Sequence, residues 1–418
     1  MGKAVKLILI SGEVNSNKFY NMTDNDNGTF TVEYGRVGAS MQTQSYPISQ
    51  WDKKYKEKTN KGYKDNTDLF IVEDTSSTNT NEPKKTGVVK EFLKSRTQSV
   101  MEMVKKLQGW AKGSIQENYT VSSEQVTQKQ VERAQALLDN IVTFDLVQSN
   151  VKEFNNMLLE FFGVVPRKMK QVKDHLISES EDLTKRKNQI ISEEQATLDV
   201  MAGQVKLNAD ITEEQEETHT VETDIIHASG LEMEEVTDTD TINKIKGMMA
   251  DNKHKFKKAF AVVNTKTQKM YDNHVANAKN KKEELFWHGS RNENWWSIMT
   301  SGLMIRPSNA VYSGSMFGDG IYFADRFQKS YGYTSGRNSY WAKGNSNEAI
   351  LALYTVHIGE QKHIYKHDSS CYKLNYNTIS KDGYDSVFAH GGIDLRNNEY
   401  MIYQAQQCTI KYLVIVEA

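Results

Sequence analysis

The sequence has little cysteine, no long apolar run and almost no net charge. Only Cys371 and Cys408 are cysteines, without metal-ligand spacing, so no disulfide framework or metal site is predicted and a reducing compartment is favoured. No apolar stretch reaches membrane-spanning length, and the first residues lack a signal-peptide core, which predicts a soluble, intracellular protein without a membrane partner. A net charge of −2 gives no global attraction to nucleic acid, so such binding requires a local basic patch.

A length of 418 residues predicts two to four domains, and no tandem repeat is present. Alternating apolar residues predict a small β-rich module over 1–74, and a polar stretch predicts a linker over 75–87. Helical periodicity predicts a bundle over 88–205, and mainly β patterns predict a last domain over 206–418. In that domain a helix is predicted over 240–256, and strands are predicted over 231–236, 259–265, 285–288, 321–323, 349–358, 400–404 and 409–416. Because 207–243 contains no Lys or Arg and many acidic residues, we expect an acidic loop there. The fold class is therefore multidomain α+β.

The last third of the chain holds four short segments with the residue types of a nucleotide site. They are Phe-Trp-His-Gly-Ser-Arg at 286–291, Met-Phe-Gly-Asp-Gly-Ile-Tyr-Phe-Ala-Asp at 316–325, Lys-Ser-Tyr-Gly-Tyr at 329–333 and Asn-Glu-Tyr at 398–400. Glu399 lies in an alternating stretch that predicts a strand, and a carboxylate there can stabilise positive charge growing at an anomeric carbon. Tyr322 and Tyr333 offer flat faces for a planar ring. His288 and Ser330 offer hydrogen-bonding groups for hydroxyls and an amide.

Each of these residues also has a structural interpretation. Alone, His288 is more often a satisfied core histidine, and Glu399 is more often solvated. Gly289 lets another backbone or a ligand approach closely. The Gly318-x-Gly320 pair lacks the third glycine and the following helix of a dinucleotide fingerprint, so a Rossmann site is not predicted. The combination, in this order, favours the functional interpretation.

Together these segments resemble the catalytic domain of the poly(ADP-ribose) polymerases over about residues 283–418. By position, the resemblance implies a triad and two sets of NAD contacts: His288, Tyr322 and Glu399 for the triad, Gly289, Ser330 and Tyr333 around nicotinamide, and Ser290 and Asn294 near the adenosine ribose. One position departs, because Met304 stands where the family has an adenosine-side Arg, with Arg306 two residues on. The resemblance implies NAD+ as a consumed substrate, no further cofactor and no metal. Nicotinamide is a good leaving group, so its departure needs no general acid.

The N-terminal module resembles a WGR domain, with Tyr34 where the family has Trp. The pattern predicts strands joined by a turn at 26–28 and then a lysine-rich helix over 48–61. The resemblance implies binding to DNA ends or nicks. We expect Tyr34 to pack on a sugar or base, and Arg36 and the helix lysines Lys53, Lys54 and Lys56 to contact phosphates. The alternative is a solvated lysine face.

The helical segment over 88–205 contains no catalytic motif. It is similar to the regulatory helical domain of the same family, although its position between the other two segments carries much of that likeness. An independent structural bundle is the alternative. A capping box is predicted at 122–125, and helices are predicted around Val151–Phe161 and over Leu183–Met201.

The resemblance as a whole implies a DNA-break-stimulated NAD+ ADP-ribosyltransferase that attaches and elongates ADP-ribose on proteins, including itself. The complete His-Tyr-Glu set favours elongation in this family. Two alternatives stay open: a mono-ADP-ribosyltransferase, and a DNA-end-binding scaffold whose last domain only senses NAD. We expect the nucleus in a eukaryotic host, and the cytoplasm in a prokaryotic host or for a virus.

Overall fold

The computed structural model describes residues 3–70, 93, 95–118, 126–178, 180–217, 224–305 and 316–418. The chain divides into two compact units, which are Met1–Glu82 with Ser114–Val205, and Pro83–Gly113 with Lys206–Ala418. The predicted linker at 75–87 and the predicted capping box at 122–125 lie outside the described residues. The predicted domain boundaries stay predictions. None of the helices described here has both the length and the apolar character needed to cross a membrane.

The first unit begins with a five-stranded antiparallel sheet in the order β4-β3-β2-β1-β5. Its elements are β1 (Ala4–Ser11), β2 (Ser16–Asp24), β3 (Thr29–Arg36), β4 (Gln42–Pro47), α1 (Trp51–Asn60) and β5 (Lys64–Asp65). The predicted turn between β2 and β3 is present, with Asp26 and Gly28 both at positive φ. Trp51 begins α1 and packs, almost fully buried, on Phe30 of the sheet. Burial of these rings holds the helix against one face of the sheet.

Four helices follow along the chain. They are α2 (Gln98–Asn118), α3 (Gln128–Thr143), α4 (Val151–Val164) and α5 (Leu183–Glu217). The apolar residues of α3 and α4 recur at helical spacing and are buried, including Leu138, Phe154 and Phe161. Thr127 caps α3 with a reciprocal capping box to Gln130.

The predicted acidic loop over 207–243 needs correction. Helix α5 continues past Met201 to Glu217, because Glu, Gln, Ala and Leu are good helix formers even when their net charge is negative. Residues 218–223 lie outside the described residues. Beyond them the chain forms short regular elements from residue 225 onward rather than an extended loop.

The second unit contains two sheets and several short helices. Its further elements are α6 (Ile225–Ala228), β6 (Leu231–Glu235), α7 (Thr239–Met249), β7 (Phe256–Asn264), α8 (Thr265–Asn277), β8 (Glu283–Gly289), α9 (Trp295–Ser301), β9 (Ile321–Phe323), α10 (Phe327–Tyr331), β10 (Glu348–His357), β11 (Gln361–Ile364), α11 (Tyr376–Lys381), β12 (Ser386–Ala389), β13 (Glu399–Ile402) and β14 (Cys408–Glu417). The predicted strands around residues 231, 285, 321, 349, 400 and 409 are therefore present. The predicted helix over 240–256 is too long, because Ala250 has φ +50° and ends α7.

One sheet has the order β6-β7-β14-β10-β8, and the other has the order β11-β12-β13-β9. Trp287 of β8 and Ala324, just after β9, exchange two backbone hydrogen bonds and so join the edges of the two sheets. Trp287 is fully buried among apolar residues of β10 and α10. This junction brings the ends of β8, β9, β13 and α10 together. The predicted multidomain α+β fold class is confirmed.

Candidate active site and nucleic-acid interface

The Glu399 carboxylate is held at the start of β13 by a lysine of α10. The Nζ of Lys329 lies 2.5 Å from Glu399 Oε1 and donates to the Asn398 carbonyl oxygen at 3.0 Å. The side chains of Lys329 and Glu399 are only 11% and 13% exposed. Burial lowers the pKa of Lys329, and the charge of Glu399 opposes that shift. The carboxylate is therefore fixed in a nearly dry position, where its field acts strongly.

Asn398, the residue before Glu399, also helps to hold the Glu399 carboxylate in its position. The Asn398 side-chain amide donates to Asp325 Oδ2 at 2.9 Å, and its Oδ1 accepts a hydrogen bond from the Gly391 backbone at 3.0 Å. Together with the bond from Lys329, Asn398 ties the start of β13 to three other segments. A carboxylate held this firmly is suited to act on a bound substrate, because small displacements of a reacting group lower the rate.

Tyr322 lies on the same face as Glu399. It pairs across the sheet with Met401, two residues beyond Glu399, and residues two apart in a strand share a face. The Tyr322 hydroxyl donates to the Gly318 carbonyl oxygen at 2.8 Å and accepts from the Phe317 N–H at 3.0 Å. Burial raises the pKa of Tyr322, and the charge of Glu399 adds to this. The hydroxyl therefore holds the preceding turn, and the residue is not suited to act as a base.

His288 is neutral with a defined tautomer. Its Nδ1 lies 3.0 Å from the backbone oxygen of Tyr322, and a carbonyl oxygen only accepts, so Nδ1 carries the proton. Burial lowers the pKa of His288 to about 4, against the opposing effect of that hydrogen bond. At neutral pH, Nε2 therefore has a lone pair that can accept a hydrogen bond from a ribose hydroxyl.

Gly289 serves two purposes. A Cβ at this position would lie 1.9 Å from the Ser330 carbonyl oxygen, so only glycine lets α10 pack this closely on β8. Strand β8 is at the edge of its sheet, and the backbone groups of Trp287 face outward to Ala324. Backbone groups two residues apart point to the same side, so the N–H and C=O of Gly289 face this open edge. One donor and one acceptor at that edge match a carboxamide, and buried Ser330 lies beside them.

Tyr333 lies just after α10 and is half-buried. Burial raises its pKa to about 12, and the charge of Glu399 contributes. The ring is nearly parallel to that of Trp341, at a centroid distance of 6.1 Å and an interplanar angle of 19°. Trp341 is 61% exposed. The two rings form an aromatic wall suited to a planar group such as nicotinamide.

Ser290 and Asn294 lie together, with the Asn294 amide donating to Ser290 Oγ at 3.0 Å. The Asn294 Oδ1 is buried and has no hydrogen-bond partner among the described residues. A buried acceptor without a partner is costly, so this oxygen fits a hydroxyl group of a ligand. Met304, which stands where the resembling family has an arginine on the adenosine side, is exposed. Arg306 lies outside the described residues.

Two protein-family models match parts of this chain. Residues 236–418 match the model of the poly(ADP-ribose) polymerase catalytic domain, and residues 4–69 match the WGR domain. The chain is 34% identical over 181 residues to 100L, a poly(ADP-ribose) polymerase-like protein of Invertebrate iridescent virus 6, covering 42% of this chain and 94% of that protein. The chain belongs to the poly(ADP-ribose) polymerase family.

Cellular relatives match a smaller part of their own length. Poly(ADP-ribose) polymerase 2 of Arabidopsis thaliana is 29% identical over 163 residues, which are 34% of this chain and 25% of that protein. Poly(ADP-ribose) polymerase 1 of Danio rerio is 35% identical over 146 residues, which are 31% of this chain and 14% of that protein. As a member of this family, the chain is an NAD+ ADP-ribosyltransferase, and NAD+ is its substrate.

In the WGR domain of this family member, lysines lie over tyrosine rings. Tyr34 packs beside Tyr20 with a centroid distance of 6.0 Å, and Lys58 Nζ lies 4.3 Å above the Tyr20 ring. Lys54 Nζ lies 4.3 Å above the Tyr46 ring. Cations over aromatic rings at an exposed helix are suited to phosphate and sugar contact. Tyr34 and Lys54 were predicted DNA contacts, and Lys58 belongs to the same predicted lysine-rich helix.

Two of the predicted phosphate-binding lysines, Lys53 and Lys56, are exposed on α1. Arg36 is placed differently, because its guanidinium donates to the carbonyl oxygens of Met169 and Lys170 at 3.0 Å each. It also donates to the Asn15 carbonyl oxygen at 2.8 Å. Arg36 therefore joins the WGR sheet to the segment after α4 in the same unit. The Gly-Arg sequence signal located the residue but gave no indication of this contact.

Sequence reasoning also missed two residues of the catalytic site. Lys329 begins the Lys-Ser-Tyr-Gly-Tyr segment, but no local pattern in the sequence gave it a role. Trp341 carried no such signal, because the loop that brings it to Tyr333 has no regular periodicity. Among the residues that the structure describes, no group of three or more His, Cys, Asp or Glu side chains could hold a metal ion.

Proposed function

We propose that this chain is a DNA-end-stimulated enzyme that attaches ADP-ribose to protein side chains, including its own, and then elongates it. The observation that carries the transferase chemistry is the Glu399 carboxylate, held by Lys329 in a nearly dry position on the same sheet face as Tyr322. Elongation rests on the complete His288, Tyr322 and Glu399 set, as in the resembling family.

In the proposed reaction, the bond between nicotinamide nitrogen and the ribose anomeric carbon breaks, and both electrons leave with nicotinamide. Positive charge then grows at the anomeric carbon, and the Glu399 carboxylate stabilises it. The neutral His288 holds a ribose hydroxyl through Nε2, and Gly289 with Ser330 fixes the carboxamide. An oxygen of the acceptor attacks the anomeric carbon, and its proton goes to solvent or to Glu399.

The DNA part of the proposal is supported by the first unit. Tyr34, Lys54 and Lys58 cluster at one face of the WGR domain, and Arg36 ties that domain to the segment after α4. A DNA end bound at the tyrosines would thereby act on helices of the same unit. A coupling of about 1 to 3 kcal/mol corresponds to 5- to 150-fold activation.

The direct test is incubation of the full chain with labelled NAD+, with and without nicked DNA. We expect a ladder of labelled products that strengthens when DNA is added. A single labelled band in both conditions would favour the mono-ADP-ribosyltransferase, and absence of label would leave only a scaffold. Equal labelling after rigorous removal of DNA would contradict DNA stimulation.

The DNA contacts need a separate binding measurement. Replacing Lys53, Lys54 and Lys56 with Gln removes three charges, so the affinity for a nicked duplex should fall and the slope of log affinity against log salt should become shallower by up to about 3. Lys269, Lys279 and Lys281, exposed lysines of the second unit changed to Gln, serve as the control for the loss of three charges. An unchanged slope would mean that the α1 lysines form a solvated helix face and do not contact DNA.

A further inference from the structure

One face of the β11-β12-β13-β9 sheet carries a continuous stack of aromatic rings. The ring centroids of Phe286 and Tyr400 are 4.2 Å apart, those of Tyr400 and Phe388 are 4.5 Å apart, and those of Phe388 and His390 are 3.9 Å apart. The stack ends with His390 and Tyr365, whose centroids are 4.1 Å apart. All four interplanar angles are 30° or less. We call these five rings the aromatic stack.

Strand register produces this arrangement. Phe388 pairs directly with Tyr400 on β13, and it pairs with His363 on β11. His363 Nδ1 lies 2.8 Å from His390 Nε2, so one imidazole donates to the other and fixes the orientation of both rings. Cross-strand aromatic pairs also stabilise the sheet. A purely structural pair, however, would not need a stack that runs outward to an exposed end.

The two ends of the stack differ. Phe286 is 5% exposed and closes the inner end, whereas Tyr365 is 61% exposed at the outer end. Because each inner ring is covered by its neighbours, the outer face of Tyr365 is the place where another planar group can continue the stack.

The charge around the open end favours a single nucleotide unit over a nucleic-acid strand. Exposed Lys366 follows Tyr365 directly and can reach a diphosphate on its flexible stem. Nearby charges are mixed, because Lys362 is paired with Asp382 at 3.0 Å and Asp394 accepts a backbone hydrogen bond from His367. Single-stranded nucleic acid is usually held by a continuous basic groove with successive stacked bases, and this surface has neither arrangement among its described residues.

The position of the stack links it to the reaction. Tyr400 follows Glu399, and Phe286 precedes His288 by two residues, so the stack is built on the strands that carry the catalytic pair. Consecutive residues of a strand point to opposite faces, so Tyr400 and Glu399 lie on different faces of the sheet. Tyr365 follows β11, which is two strands away from β13 in the sheet, so the open end of the stack is separate from the Glu399 pocket.

We infer that the open end of the aromatic stack binds the adenine ring of an ADP-ribose unit on the modified protein, with Lys366 beside its diphosphate. This inference rests on the proposed function, because that reaction supplies such units. An ADP-ribose unit attached nearby is present at high effective concentration, so a weak stacking contact is sufficient to hold it.

The test measures binding of free ADP-ribose to the full-length chain carrying Glu399→Gln, so that no NAD+ chemistry contributes. Tyr365→Ala should weaken ADP-ribose binding at this surface about tenfold, and Tyr365→Trp should restore or strengthen it. Protection from hydrogen exchange around residues 363–366 reports this surface separately from the substrate pocket. Tyr376→Ala, at another exposed tyrosine, is the matched control and should leave binding unchanged.

Equal protection in the parent and the Tyr365→Ala variant would overturn the inference. Tyr365-dependent binding of a single-stranded oligoadenylate, without binding of ADP-ribose, would also overturn it in favour of nucleic acid. Because ADP-ribose is added from outside, this result does not depend on whether the chain elongates polymer. With Glu399 intact, Tyr365→Ala should release nicotinamide at the parent rate.

Discussion

The contact between Lys329 and Glu399 gives the sharpest prediction about how the active site is built. Lys329→Met keeps the length and apolar stem of the side chain but removes the ammonium group 2.5 Å from Glu399. It also removes the donor to the Asn398 carbonyl oxygen at 3.0 Å. Removing one partner of a nearly buried ion pair leaves the other charge uncompensated. The cost should be about 3 kcal/mol of unfolding free energy, within the usual range for buried pairs.

Two assays separate stability from catalysis. Chemical unfolding gives the loss of stability, and nicotinamide release at saturating NAD+ gives kcat. We expect kcat to fall about 10- to 100-fold, because the carboxylate loses one of its positioning contacts. Lys329→Arg should keep the charge and lose much less stability than Lys329→Met, although its planar fork will not reproduce the geometry.

A double-mutant cycle tests the reasoning itself. In the Lys329→Met background, Glu399→Gln removes the unpaired charge, so the double variant should be more stable than Lys329→Met alone. Coupling between contacting residues is commonly about 0.5 to 3 kcal/mol. If the two changes are additive in unfolding free energy, Lys329 and Glu399 are not coupled and the account of the site is wrong.

Three further predictions follow from single contacts. Gly289→Ala should abolish NAD+ labelling and lower the melting temperature, because its Cβ would meet the Ser330 carbonyl oxygen at 1.9 Å; normal labelling by this variant would refute the close packing of α10 on β8. Arg36→Ala should lower the unfolding free energy by about 1 to 3 kcal/mol, because three backbone carbonyl oxygens lose a charged donor. Lys53→Ala, on an exposed face, is the control. Equal unfolding free energies for the Arg36→Ala and Lys53→Ala variants would contradict the contact. The folded pKa of His288 is lowered to about 4 from an ordinary 6.5, so between these pH values the unfolded state binds the histidine proton more tightly than the folded state does. The unfolding free energy should therefore fall as the pH drops from about 6.5 toward 4. In a series of unfolding curves measured at different pH, His288→Gln should flatten this dependence.

Much of the catalytic site could be predicted from the sequence because its chemistry lies in short contiguous segments. Gly289 and Tyr322 were found in this way, and the structure places them around Glu399 and α10. Lys329 lies in one of the same segments, but its role depends on the three-dimensional approach of α10 to β13, which no local pattern encodes. Trp341 reaches Tyr333 through an irregular loop, and such loops carry no periodic signal.

The secondary structure could be predicted correctly from the sequence where the hydrophobic periodicity was strong. Strand β9 has the predicted bounds, and the other predicted strands of the second unit differ by only a few residues at their ends. Strands β11 and β12 were not predicted. Prediction failed over 207–217, because negative charge was taken as a sign of a loop although the residues are good helix formers. It also failed at Ala250, where a non-glycine residue at positive φ ends a helix without any sequence signal.

The central claim is that the Glu399 carboxylate stabilises positive charge in the transition state of nicotinamide release. The most direct measurement compares Glu399→Gln with the parent chain in the rate of nicotinamide release and in NAD+ affinity. Glutamine keeps the size and hydrogen-bonding reach but removes the charge, so the rate should fall about 100- to 1000-fold. NAD+ affinity should change far less, because the anomeric carbon of the bound substrate does not yet carry that charge. Near-normal turnover by Glu399→Gln would contradict the account.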